Sequence, residues 1–567
     1  MKKNIIEVKD VKFGKNTLHS LTIGMYVNPF FLFREYVQNS ADAIQDAIED
    51  GIIEQHNSRI LITLNYSDRS IIIQDNGIGL QKDVSKDYLV NVGDSKKDTN
   101  KRMGRFGIGR LGGLGYCDKL RFETSAKGDS YKTIVEWDAK RLTELINDSS
   151  VDDDAPSVIK KVVSCTEEKC ETDAHFFKVS LEGVKETHSD LLDERKVGQY
   201  LSQVAPVPFR RDNFRFADKI YKFLEDNELP VNDYNVVLND EPIFKPYEDS
   251  IPNVTKNPDN SRDAIAKAKP IKVEDVLPQL IKNVRGEILG WFWIALTNCE
   301  GRLGKYCISR GIRLRQWNIQ IGDADCLNKP KFWREELGNS YFIGEIYALD
   351  NNLIPTPRRD YFEENEACRG FEELLKSIFD QLNDVFRAAS TINSGNKKAE
   401  IKKNLEKRIN EDNYLEDDKE DRENDRRELD KANKNYEKAI QERRKLTEKY
   451  HLQESNAPKK TEEIDGAEIA SQELASIYVD HMLRSKPLPV NTLHSEKSAQ
   501  ETSTRKKSSV AKQSLKKAQK NNIHFNNGEK HILKIVKEVL KNKLSDPMFK
   551  DVWYEITRNL INLDGNE

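Results

Sequence analysis

No stretch of the chain reaches the roughly 18 consecutive apolar residues that a membrane helix requires, so no membrane span is expected. The opening MKKNIIEVKD lacks the apolar core of a signal peptide, and the expectation is a soluble, cytoplasmic protein. Cysteine is sparse. The seven are odd in number and scattered, and the closest acidic-loop pair, Cys165 and Cys170, lacks partners at zinc spacing. Reduced thiols are therefore expected. Neither sign of charge dominates: Lys+Arg 91 stand against Asp+Glu 95, a net charge of −4, which removes the global basic signal of a nucleic-acid binder. Charge itself is abundant. Charged residues make up 33% of the chain and the mean hydropathy is −0.73, more hydrophilic than a compact enzyme needs, which points to long solvated helices or disorder in part of it. A length of 567 residues suggests about three or four domains.

Phe33–Ile48, FREYVQNSADAIQDAI, holds neither Gly nor Pro and reads as one helix. At about 100° per residue, Phe33, Val37, Ala41, Ile44 and Ile48 share one side. Glu35, Asn39, Asp42 and Asp46 share the other, with no Lys or Arg among them. Such a row can hold a hydrated divalent cation through Asn39 and position a water through Glu35. Its plainer reading is a solvated face.

Two later stretches bear on the choice. Ile71–Leu80, IIIQDNGIGL, is a buried strand breaking into a Gly-rich turn. Met103–Gly115, MGRFGIGRLGGLG, carries six glycines in thirteen residues, a density that lets backbone N–H groups approach phosphate oxygens. Together the three stretches give E-x3-N-x2-D on a helix, D-x-G-x-G after a strand, then G-x-x-G-x-G.

In that order they resemble the ATP-binding superfamily of gyrase B, the ninety-kilodalton heat-shock chaperones, histidine kinases and MutL. REYVQNSADA, DNGIGL and MGRFGIG are most similar to the heat-shock chaperone branch, as is YLVNVGDSKK at Tyr88–Lys97. The resemblance covers roughly Asn4 to Asp380 and implies an α+β fold: a Bergerat-type α/β sandwich over 1–190, then an α/β middle domain of ribosomal-S5-like type over 191–390. It implies ATP and Mg2+ as cofactors. Glu35 would be catalytic and Asn39 the metal ligand. Asn39, Asp42, Asp75, Gly77, Gly79, Asn91, Gly93, Lys97, Gly104, Arg105, Phe106, Gly107, Ile108 and Gly109 would hold the nucleotide. Asp75 would accept from the adenine amine, where guanine would present a carbonyl. Residues 81–115 would form a lid, with Lys96, Lys97, Lys101, Arg102 and Arg105 available to phosphate oxygens. Strands are expected at Arg59–Tyr66, Ser70–Gln74, Asp118–Ser125, Lys132–Asp138 and His175–Leu181. One departure stands out: Ala174-His175 occupies the place of the branch's adenine-contacting Gly-Thr, with Thr172 out of register.

In the second domain Ala205–Asp212 resembles the opening of the chaperone middle domain, and Gly286–Leu296 reads as a buried strand. Gly344–Phe362, GEIYALDNNLIPTPRRDYF, resembles the segment whose arginine reaches the γ-phosphate; by register that catalytic arginine is Arg359, beside Arg358. The alternative is a surface arginine paired with Asp360 or Glu363. From Thr391 to Tyr450, 17 basic and 16 acidic residues alternate, too balanced for nucleic acid. Leu429, Tyr436, Arg443 and Tyr450 recur every seven, so 391–453 is expected to be a charged helical hairpin or long helix, open to self-association. Residues 454–527 read as a partly disordered linker with helix periodicity at Ala470–Leu483. Residues 528–567 carry two apolar stripes, Ile532, Ile535, Val536, Val539, Leu540 and Phe549, Val552, Trp553, Ile556, Leu560, that need a covering partner, a second copy or the body. The large chaperone dimerisation domain is not recognisable.

The function implied is a chaperone-like ATPase that closes its lid and rearranges its domains on protein clients or partners, with homodimerisation through the charged helical or C-terminal segment. Two other readings stay open: a nucleic-acid-handling ATPase switch of MutL or MORC type, not favoured by the charge, and the ATPase component of a bacterial antiviral defence system.

Overall fold

The computed structural model describes residues 13–21, 28–93, 109–150, 152–258, 268–297, 301–410, 419–452, 474–485, 527–544 and parts of 548–556. The chain divides into two units, Met1–Asn383 with Glu463–Leu474, and Asp384–Glu462 with Ala475–Glu567.

In the first unit, helix α1 (Asn16–Leu21) precedes α2 (Phe31–Glu49), the helix expected at 33–48. The hairpin β1 (Ile60–Asn65) and β2 (Ser70–Asp75) follows, turned by Asp68, whose amide donates to Asn65 Oδ1 at 3.0 Å. Then come α3 (Lys82–Val90), β3 (Lys119–Ser125), β4 (Tyr131–Asp138), α4 (Ala139–Asn147), α5 (Ala155–Val162), β5 (Val163–Lys169) and β6 (Phe176–Glu182). Asp138 and Asp154 cap α4 and α5 by accepting from Arg141 and Ser157 amides, satisfying donors that a helix start leaves open.

The sheet does not end with β6. After α6 (Glu194–Val204) and α7 (Ala217–Asp226), the short strands β7 (Val236–Leu238) and β8 (Glu241–Pro242) return to it. β7 pairs parallel to β1, and the order is β5-β4-β3-β6-β2-β1-β7-β8. One core joins α2, the sheet and α6, from Phe33 and Ile73 to Val197, Leu201 and Val236. The physical domain thus takes residues from beyond position 190.

The second sheet has six strands: β9 (Ser250–Pro252), β10 (Pro270–Lys282), β11 (Ile288–Thr297), β12 (Gly311–Gln316), β13 (Ile319–Ile321) and β14 (Ile343–Ala348), in the order β13-β12-β14-β11-β10-β9. β11 covers the expected 286–296 strand. Phe209, Phe214, Tyr247 and Trp293 pack ring on ring against it, with centroids 4.8–6.1 Å apart. After β14 the chain folds into a tight loop bridged by Pro355 and Phe362.

Helix α8 (Glu366–Asn410) begins in the first unit and ends in the second. Within the second unit its later half and α9 (Lys419–Lys449) form an antiparallel hairpin. Arg408 pairs with Asp425 at 2.8 Å, Lys402 lies 4.6 Å above the Tyr436 ring, and Lys449 pairs with Asp384 at 2.8 Å. Ala432, Tyr436 and Ala439 of the heptad seam are buried. Helix α8 of the same chain therefore supplies this seam's neighbours, which is the hairpin alternative. Helices α10 (Leu474–Ser485) and α11 (Asn527–Lys543) complete the described elements. None of the described helices is long and apolar enough to cross a membrane.

Candidate functional site

The site is built on α2. Its apolar stripe faces the core, and Phe33, Val37, Ala41 and Ile44 are buried to within 1%. The opposite face is covered as well: Glu35 is 6% and Asp42 3% exposed, while Asn39 is half-buried. A solvated face does not describe it. Burying a carboxylate is costly without partners. Glu35 has one in Arg359, whose Nε lies 3.2 Å from Glu35 Oε1. Arg34 Nη2 lies 3.9 Å from the same oxygen.

Arg359 comes from the loop after β14. It is 6% exposed and adopts φ +54°, a left-handed backbone that a bulky residue takes only under constraint. The constraint is local. Arg359 N donates to Thr356 O at 2.8 Å, and Gly322 N donates to Arg359 O at 2.7 Å. Asp360 is engaged elsewhere, accepting from Thr356 Oγ1 at 2.6 Å. Arg359 thus lies buried against Glu35 and not at the surface. Arg358, in contrast, is exposed and contributes its backbone: its carbonyl accepts from Arg34 Nη2 at 3.1 Å.

Arg34 was not singled out by spacing. It is 1% exposed, and among the described residues its Nε and Nη1 find no hydrogen-bond partner, so a buried guanidinium keeps donors unspent beside Glu35. The sequence shows only its place next to Glu35; that both faces of the helix are covered is seen in the structure alone.

Gly109 is the first described residue after position 93. A Cβ there would stand 2.4 Å from Glu35 Oε2, so any side chain at this position would have to displace the Glu35 carboxylate. The segment is pinned by Tyr36, whose hydroxyl donates to Arg110 O at 3.0 Å and accepts from Gly113 N at 3.1 Å. Arg110 donates to Asn91 O and lies 4.7 Å above the Tyr88 ring, joining the 109–115 segment to the end of α3. Asn91 and Gly93 are exposed, Gly93 at φ +78°. Lys97, Gly104, Arg105, Phe106, Gly107 and Ile108 lie outside the described residues, as do Lys96, Lys101 and Arg102.

Asp75 ends β2, is buried, and accepts from Gly77 N at 2.9 Å. The turn after it is locked: Ile78 N donates to Ala43 O at 2.9 Å, and Leu80 N to Thr124 Oγ1 at 2.9 Å. Gly79 sits at φ +68°, and a Cβ there would lie 1.9 Å from Ser125 O, an impossible approach for any side chain. His175 Nδ1 lies 2.9 Å from the Gly77 carbonyl. That carbonyl can only accept, so Nδ1 carries the proton. His175 thus braces the loop from behind, whereas Thr172 is exposed.

The arrangement sets Glu35, Asn39 and Asp42 on one largely buried face of α2, beside the strand β2 that ends in Asp75, with Gly109 over Glu35 and Arg359 reaching it from the loop after β14. Residues 28–172 match the family model described as "Histidine kinase-, DNA gyrase B-, and HSP90-like ATPase". Over this stretch the chain is thus similar to the ATPase domains that the model describes. Among curated proteins, the chain is similar to the chaperone protein HtpG of Acinetobacter baylyi, 28% identical over 138 residues, 21% of this chain and 22% of that one. It is similar to HtpG of Psychrobacter arcticus, 26% identical over 243 residues, 40% of this chain and 34% of the relative. HtpG of Burkholderia ambifaria is 29% identical over 144 residues, 22% and 23% of the two chains. The matches span between about a fifth and a third of these relatives' length.

Proposed function

We propose that the protein binds ATP in this ATPase domain and hydrolyses it, and that the second domain takes part through Arg359. The observation that carries the reading is the buried pair of Glu35 and Arg359, 3.2 Å apart and contributed by different sheets' surroundings. A carboxylate one helical turn before Asn39 suits the polarising of a water at the γ-phosphate. A guanidinium at the same point suits stabilisation of charge that develops on the transferring phosphoryl group. Both side chains are preorganised by the elements that carry them, which is where such groups gain most. A γ-phosphate entering beside Glu35 would compete for Arg359 and for the unspent donors of Arg34.

The metal fits as a hydrated Mg2+. That ion keeps several waters and takes one or two protein oxygens, so Asn39 alone is a sufficient protein ligand. Bound there, Mg2+ would neutralise phosphate charge. Asp42 supports the same face. Asp75 would accept from the adenine amine, with Gly77 and Gly79 giving the ring its approach, and residues 81–115 would cover the phosphates. The chaperone-like use of this cycle, on protein clients or partners, rests on the similarity to HtpG proteins.

The test is nucleotide binding by calorimetry with turnover on the full chain. Asp75→Asn puts an amide donor where an acceptor-only carboxylate stood, and ATP affinity is expected to fall by about 2–3 kcal/mol or more. Wild-type affinity in the variant, or equal wild-type affinity for GTP, would remove the purine-reading role.

A further inference from the structure

A cleft of about 610 Å3 lies between α6 and the loops of the second sheet, bordered by Phe30 at the start of α2. Its size suits a small organic molecule. It shares none of the residues assigned above to the nucleotide.

Its wall is apolar in one part and cationic in another. Ile251, Val254 and the rings of Phe30 and Tyr200, 5.5 Å apart, form the apolar part. Arg195, Lys196, Lys305, Arg310 and Arg313 face them, against a single acid among the described residues, Glu248. Two of the five cations are neutralised from just outside: Lys196 by Asp190 at 2.8 Å and Arg310 by Asp325 at 2.7 Å. Arg313 is not. It is 1% exposed, and its guanidinium donates to neutral oxygens, Gln320 Oε1 at 2.9 Å and Ile308 O. The Glu345 carboxylate of the neighbouring strand acts on it without forming an ion pair and is itself engaged by Arg315 and Lys245, so the charge of Arg313 is only partly compensated. Lys305 at the rim is exposed, and its contact among the described residues is with the ring of Tyr306.

We propose that this cleft binds an organic anion, its apolar or aromatic body against Tyr200, Ile251 and Val254 and its carboxylate or phosphate toward Arg313 and Lys305. The charge surplus selects the sign and the apolar wall selects the body, so an inorganic anion or a neutral hydrocarbon satisfies only half of the site. The site lies one ring contact from the ATPase machinery: Tyr200 packs tilted against Phe30, which leads directly into the helix that carries Arg34 and Glu35. Occupancy is therefore expected to alter turnover. That second effect rests on the ATPase reading, whereas binding does not.

The probe is anilinonaphthalene sulfonate, an aromatic anion whose fluorescence reports transfer to an apolar site, titrated into the full chain. Two variants test the location: Lys305→Glu reverses the charge at an exposed rim position, and Gln199→Trp fills the cleft from α6. Each is expected to weaken the titratable site at least tenfold with the thermal melt kept. Displacement by oleate, an aromatic carboxylate or a nucleoside monophosphate then distinguishes the sources of the anion. An unchanged titration in Lys305→Glu overturns the proposal, because that exposed substitution disturbs no packing. Failure here leaves ATP turnover untouched, so it is separable from failure of the ATPase reading.

Discussion

Glu35 is a carboxylate buried between two guanidinium groups, and its neighbours explain why it stays there. Arg359 supplies a counter-charge across the fold, and Arg34 ties the pair to the Arg358 backbone. The two adjacent arginines therefore have different work. Arg359→Ala is expected to lower the rate of ATP hydrolysis by at least about a hundredfold, the scale of one preorganised charge-stabilising donor, with ATP affinity within about threefold. Arg358→Ala keeps the carbonyl that Arg34 uses and is expected to be nearly silent. Rapid-quench turnover on both variants separates the roles; the reverse pattern would move the assignment by one residue. Arg359 was legible from the register of PTPRRDYF alone. Arg34 was not, because spacing identifies a polar row but does not say that both faces of a helix are covered.

At the scale of elements, a buried charge network joins α6 to the second sheet. Glu345 of β14, wholly buried, receives Lys245 Nζ at 3.3 Å and Arg315 Nε. Arg315 also donates to Gln203 O at 2.7 Å, at the end of α6, and to Asn318 O at 2.9 Å. Burial alone would push Glu345 up, but Arg315 and Lys245 outweigh it and hold its carboxyl down at about 2. Burial pushes Lys245 the other way, to about 7. Glu345→Gln leaves two buried cations without their acid and is expected to cost about 3–5 kcal/mol in urea unfolding near neutral pH. A group whose folded pKa is depressed stabilises above its unfolded value. The wild-type advantage should therefore be complete above about pH 4.5 and shrink as pH falls toward 2. A difference that grows on acidification would contradict this account. None of the network was legible in sequence, since Lys245, Arg315 and Glu345 are ordinary charges until three separate elements meet. The return of β7 and β8 to the first sheet was equally hidden, being strands of three and two residues without alternation. The strands β1 to β4 and β6 were legible because their apolar runs are long and end at Gly, Asp or Ser turns, whereas β5, VSCTEEK, is polar and almost wholly exposed and was not expected.

At the scale of the molecule, the ATPase core and the helical remainder are separate units. The α8–α9 hairpin covers its own heptad seam, which leaves the C-terminal stripe as the apolar surface to account for. On α11, Ile532, Ile535 and Val539 are 61%, 49% and 52% exposed at helical spacing. Burying each is worth about 1.5–3 kcal/mol. Deleting 528–567 is expected to leave ATP binding and the core melt unchanged while lowering the particle mass, in light scattering after size exclusion, by more than the deleted residues weigh. A particle mass that falls only by the deleted mass would place the stripe against its own chain. The central claim is that Glu35 drives ATP hydrolysis in a domain that binds nucleotide without it. Single-turnover hydrolysis of radiolabelled ATP by the full chain, wild type beside Glu35→Ala, tests it most directly. The prediction is loss of the chemical step with ATP still bound; a rate within twofold of wild type would contradict it.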